Sequence, residues 1–180
     1  MIKINFEDTI QPIYVKSDFT EFRFVSNLKD RTSIELQVHI TKHPDEFLPE
    51  VYNLAFGPLG LNGQIDDSIR LHHVNKNKVF STIILFAIIF LQENKDKAIG
   101  IDGSNDTRAY LYHRMFESNF EELSEFLITI GVDWYVKLLR SNDVERDVEG
   151  NPLFKPRPEP FDTERKSSNL YRYYIFSLNH

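Results

Sequence analysis

Apolar and polar residues take turns along much of the first half of the chain. Thr32–Thr41 is the cleanest case, with Ile34, Leu36, Val38 and Ile40 set against Ser33, Glu35, Gln37 and His39. A period of two sends alternate side chains to opposite faces, so one face is buried and the other wet, as in an antiparallel sheet. Ile2–Phe6, Ile13–Lys16, Glu21–Val25 and Val51–Phe56 predict further short strands. Ser26-Asn27 and Lys29-Asp30 fit hairpin turns, and Pro44 and Pro49 end the long strand. Gly57, Gly60 and Gly63 share one loop, where the backbone must turn in ways other residues resist.

The period then changes. From Asn75 to about Asn94 the pattern is helical, and Val79–Leu91 is apolar except at Ser81 and Thr82. Its apolar residues surround the axis, which predicts a helix covered on most sides. The run falls short of the roughly 20 residues of a membrane span. Lys97–Asp102 reads as a strand, and Gly103-Ser104-Asn105-Asp106 as a helix start rich in capping residues. Thr107–Glu117 and Phe120–Phe126 follow as helical pieces. Leu127–Ile130 and Trp134–Leu139 read as strands split by Gly131, and Leu170–Leu178 as an aromatic strand.

Together these elements predict an α+β fold: a mainly antiparallel sheet packed against one core helix (about 75–94) and a second helix (about 105–117) on the same face. Residues 1–140 and 169–180 form the expected domain. Between them, 141–168 carries Pro152, Pro156, Pro158 and Pro160 among charges of both signs, which predicts a loop or extended surface arm.

Composition narrows the chemistry. With no cysteine among 180 residues, thiol nucleophiles, thiolate metal sites and disulfides are excluded together. A net charge of −6 disfavours a general electrostatic grip on nucleic acid or on an anionic membrane. The first residues alternate instead of pairing a basic stretch with an apolar one, so no secretory signal is expected and the protein is placed in the cytoplasm.

Arg108 is the residue that most needs explaining. At 100° per residue, Ala109, Leu111, Tyr112, Met115 and Phe116 cover one arc of the second helix, and Arg108 falls within it, whereas Tyr110, His113 and Arg114 take the other side. A guanidinium there requires an anion or carbonyls, and its place in the first helical turn is disfavoured by the macrodipole. Two readings stay open. One is an internal ion pair with Asp66, Asp67 or Asp102. The other is a pocket for phosphate or carboxylate at the Gly103–Arg108 helix start, using Ser104, Arg108 and Tyr112, with Lys78 as a further contact.

Asp66-Asp67 on the glycine loop is a weak candidate for a divalent cation, although no calcium-loop spacing follows; no other cofactor is expected. His39 and His43 would lie roughly 13 Å apart on one strand, too far to share a metal. Arg108 and His113 match the arginine–histidine spacing of certain helical ribonucleases, yet point about 140° apart in a regular helix. No HExxH, GxGxxG or phosphate-loop motif occurs.

Val51-Tyr52-Asn53-Leu54-Ala55-Phe56-Gly57, Gly63-Gln64-Ile65-Asp66-Asp67, Asn77-Lys78-Val79 with Thr82, and Gly103-Ser104 with Arg108 and Leu111-Tyr112 stand in this order. Together they resemble an uncharacterised bacterial family and small phage-encoded proteins that share the lysine–valine–threonine and arginine–leucine–tyrosine pieces. The resemblance spans about Val51 to Gly131. It departs at Asn75 and Asn77, where the family often has an acidic residue, and at Tyr110, where it has a second arginine. It implies the fold and the importance of Arg108, and it hints at a mobile-element, defence or toxin–antitoxin setting.

Two functions are therefore expected. The first is a non-enzymatic module acting through a protein partner or through homo-oligomers, its aromatic strands pairing with that partner. The second is a nucleotide- or nucleic-acid-phosphate binder or nuclease built on the anion site.

Overall fold

A computed structural model describes residues 1–66, 69–103, 105–141 and 143–179. In chain order the elements are β1 (Tyr14–Val15), β2 (Glu21–Asn27), β3 (Ser33–Lys42), β4 (Val51–Gly57), α1 (Lys76–Glu93), β5 (Ala98–Asp102), α2 (Asp106–Ser118), α3 (Phe120–Ser124), β6 (Leu127–Val136), β7 (Phe154–Pro160) and β8 (Tyr173–Leu178). The strands make one eight-stranded sheet in the order β1-β2-β3-β4-β5-β8-β6-β7. Its pairings are antiparallel except for β4 with β5, which run parallel on either side of the α1 crossover. This is the expected α+β architecture. Among the described residues no helix is long and apolar enough to cross a membrane.

The two long helices cover one face of the sheet. Phe22 and Phe24, Leu36, Val38 and Ile40, Leu54, Ile99 and Ile101, and Tyr174 and Phe176 point to that face and form one core with α1 and α2. Each such side chain contributes roughly 1.5–3 kcal/mol by leaving water. α1 starts at Asn75, whose side chain accepts the Lys78 N–H at 3.0 Å. It is buried on most sides, as its apolar circumference requires.

Ile2–Phe6 is not a strand. Its alternation is real, because Ile2 is buried, but its backbone is satisfied by helix side chains instead of a neighbouring strand. Ile4 N–H donates to Asn119 Oδ1 at 2.9 Å and Asn5 N–H to Ser81 Oγ at 2.8 Å. Further on, Ile10 N–H donates to Thr82 Oγ1 at 2.8 Å. Ser81 and Thr82, the polar interruptions of the apolar run, thus fasten the N-terminal segment along α1.

Gly131 does not divide two strands either; β6 runs through it. The position faces the helices, and a Cβ there would lie 2.4 Å from three ring carbons of Tyr171. Only glycine lets that ring lie on the strand. The ring's other side carries the Arg165 guanidinium, 3.8 Å from its centroid. Arg165 has 8% of its side-chain surface exposed and pairs with Asp133 and Glu159, while Tyr171 Oη donates to Glu159.

The proline-rich segment contributes β7 at the rim of the sheet. Phe161 N–H donates to Thr129 O at 3.2 Å, which puts odd-numbered residues in the hydrogen-bonded pairs with β6. Pro156, Pro158 and Pro160, opposite Trp134, Val132 and Ile130, take the outward positions, where a missing N–H leaves no ladder bond unmade. The aromatic segment at the C-terminus becomes β8. It lies inside the sheet between β5 and β6, with Tyr171, Tyr173, Tyr174 and Phe176 all buried.

Candidate functional site

The parallel register sets Val51 beside Ala98, Tyr52 beside Ile99 and Asn53 beside Gly100. Beyond it, β4 continues to Gly57, while β5 ends at Asp102 and the chain turns into α2. Crevices form outside the carboxyl ends of parallel strands where the chain leaves the sheet. A cavity of about 380 Å³ lies here, lined by His43, Asn53, Ala55, Asp102, Trp134 and Tyr173, by Arg108 and Tyr112 from α2, and by Leu54 and Phe56. Strand alternation puts Asn53, Ala55, Asp102, Trp134 and Tyr173 on the face opposite the helices, so the cavity reaches from that face round the end of β5 to the start of α2.

Each polar wall is held by a local device. His43 follows β3, and its Nδ1 accepts the Asp45 N–H at 3.0 Å. Burial holds its pKa below the ordinary 6.5, against the opposing pull of Asp45 and Asp102. The ring is therefore neutral at pH 7 with its proton on Nε2, the nitrogen left to donate to a ligand. It meets the Tyr173 ring edge-on at 5.3 Å.

Tyr173 is buried and its hydroxyl donates to Asn53 Oδ1. Burial first, and the Asp102 charge second, push its pKa well above the usual tyrosine value, so it stays a proton donor. With the Asn53 oxygen occupied, the amide NH₂ is what that residue can offer to a ligand. The Tyr173 ring lies over Gly100, where a Cβ would come within 2.1 Å of Oη.

The first turn of α2 is pinned from several directions. Asn105 Oδ1 accepts the Arg108 N–H at 2.9 Å as the helix cap. Gly103 N–H donates to Arg172 O at 3.0 Å, and the Arg172 side chain pairs with Asp106 at 2.7 Å. Tyr174 Oη donates to Ala109 O at 2.8 Å, tying the helix to β8. Tyr112 meets the Tyr174 ring edge-on at 6.3 Å.

The sequence candidates separate in space. Arg108 and Tyr112 line the cavity. Arg108 is half-buried there rather than enclosed in the core, because the first turn of α2 overhangs the end of β5. Asp102, one proposed ion-pair partner, lines the same cavity, so the ion-pair and ligand readings concern one place. Lys78 stands apart at the start of α1, paired with Asp8 at 2.8 Å. Ser104 and Asp67 lie outside the described residues. Asp66 is half-buried, its carbonyl turned to Gly57, where a Cβ would come within 2.6 Å of it. Among the described residues no group of three or more His, Asp or Glu could hold a metal ion.

His113 differs from its expected place on the wet side of α2. It is buried because Phe161, from the segment after β7, lies 5.2 Å from its ring, a contact helical periodicity could not reveal. Residues the sequence did not bring forward as site members are His43, Asn53, Trp134 and Tyr173. One signal was available: Trp134 is the chain's single tryptophan, set in a strand.

A family model described as a family of unknown function, DUF6934, matches residues 9–143. The chain belongs to the DUF6934 family. The matched stretch runs from before β1 to beyond β6 and includes the cavity residues except Tyr173. The DUF6934 region thus supplies most of the cavity, and β8 completes it from outside. No curated protein and no solved structure matches the chain.

Proposed function

We propose that the cavity binds a small molecule through its carboxylate or phosphate group. The observation that carries this reading is that one void is lined by three residues that carry hydrogen-bond donors: Arg108, His43, whose Nδ1 is already occupied, and Asn53, whose Oδ1 is already occupied. Two of these are set as donors by neighbours that occupy their acceptor atoms. Donors held in place before the ligand arrives bind acceptor oxygens at little ordering cost. A void of about 380 Å³ equals roughly a dozen waters at ~30 Å³ each, which suits a small molecule and not a nucleic-acid strand.

The aromatic strand β8 is internal and its rings are buried, so β8 itself is not an edge on which a partner strand could pair.

Thermal unfolding with inorganic phosphate, acetate and larger carboxylates and phosphates tests the reading. At a hundredfold excess over Kd, binding adds about 2.7 kcal/mol. For a chain of this size that is a Tm rise of roughly 5–11 °C. Arg108→Ala should abolish the rise. If no anion raises Tm, or if Arg108→Ala costs several kcal/mol of stability and leaves binding intact, Arg108 serves the fold alone and the reading is wrong.

A further inference from the structure

We infer that the ligand of this cavity is a flat aromatic acid, one π-ring lying against Trp134 and one carboxylate or phosphate meeting Arg108. The inference rests on the anion-site reading and adds the class of molecule that carries the anion.

The lining argues for a ring. On the face opposite the helices the ring side chains lining the cavity are Trp134 and Tyr173, with His43 beside Tyr173, whereas Leu54, Phe56 and Tyr112, which also border it, belong with the helix-side core. Flexible aliphatic walls accommodate many shapes, whereas rings on rigid strands select flat ligands that offer a π-face. Trp134 is half-buried on β6, and Tyr173, beside it on the same face of the sheet, is held by Asn53 and by the seat that Gly100 provides. The aromatic wall is therefore fixed before a ligand arrives. Arg108 reaches the void from a different element, α2, so ring and anion are recognised from separate walls. The volume admits one aryl carboxylate or one mononucleotide, which share the required chemistry.

Trp134, as the single tryptophan, makes intrinsic fluorescence a report from the cavity itself. The probes are adenosine monophosphate and benzoate, which have ring and anion; inorganic phosphate and acetate, with the anion alone; and adenosine and benzamide, with the ring alone. At least one ring-bearing anion should change Trp134 emission saturably and bind about tenfold or more tightly than its ringless counterpart, the size of a single stacking contact. By calorimetry, Trp134→Leu should reduce that probe to the ringless affinity and leave the ringless anion unaffected, whereas Arg108→Ala should weaken every anionic probe. Which of the two ring-bearing anions binds tells nucleotide from aryl carboxylate.

Equal affinity with and without the ring, or ring selectivity that survives Trp134→Leu, overturns the aromatic inference and leaves the anion reading standing. Adenosine or benzamide binding as tightly as the corresponding acid overturns the anion reading and leaves the ring contact. Silence from every probe overturns both.

Discussion

Gly131→Ala separates two opposed expectations by sign. Gly131 is not among the residues with positive φ, so alanine fits its backbone. Reduced freedom of the unfolded chain alone would then stabilise the protein by about 0.4–1 kcal/mol. The ring contact predicts the reverse. A Cβ 2.4 Å from the Tyr171 ring is about 1–1.5 Å short of the carbon–carbon optimum, so strand or ring must yield. The ring has nowhere to go: it is fully buried, and its far side carries Arg165, held by Asp133 and Glu159. Overpacking of this kind costs roughly 1–3 kcal/mol, and loosening the arginine from the ring adds about 0.5–1 kcal/mol. Net of the backbone gain, Gly131→Ala should lose about 1–3 kcal/mol, a Tm drop of roughly 3–10 °C. Urea unfolding followed by far-UV circular dichroism measures it, and a double-mutant cycle with Tyr171→Leu isolates the contact. A variant as stable as the parent, or a cost undiminished by Tyr171→Leu, would refute the seat.

Two further outcomes can be checked by unfolding. Arg165→Met should cost roughly 1–3 kcal/mol, less than the loss of one member of a fully buried pair because Asp133 and Glu159 keep some solvent; a urea midpoint within error of the parent would contradict it. Burial holds His113 below the 6.5 of a free histidine, as it does His43 and His73. Between the two values the unfolded chain binds more protons than the folded one, so stability is full above pH 6.5 and falls as pH drops through that value. The urea midpoint should decline from about pH 7 to 5, and His113→Gln should flatten the decline; an equal slope in both proteins would assign the effect elsewhere.

The architecture was legible because each major element carried its own period: β3 alternates strictly, and α1 is apolar all round. What sequence could not show were contacts made across long separations. Ile2–Phe6 alternates like a strand, yet its N–H groups go to Ser81 and Asn119, far along the chain. Gly131 looks like a break until Tyr171 is seen on it. The same limit governs the site. Arg108 was conspicuous because its charge conflicts with its helical arc. His43, Asn53 and Tyr173 became donors or walls only through neighbours brought by folding. Arg165, the arginine whose side chain is nearly closed off from water, sat unremarked among prolines and charges, since nothing local to it announces Tyr171, Asp133 and Glu159.

The alternating prolines of β7 bear on how this protein survives at high concentration. A strand from a second copy arriving at that rim would find carbonyls but, at three successive outward places, nothing to donate to its own, so no continuous ladder could form. At the opposite rim β1 is only two residues long, and the end of β2 is covered where Val74 N–H bonds to Asn27 O, with Lys29 N–H bonding to His72 O just beyond it. The sheet is thus finite by construction, resistant to stacking end on end into fibres even where its exposed tyrosines and phenylalanines would reward it.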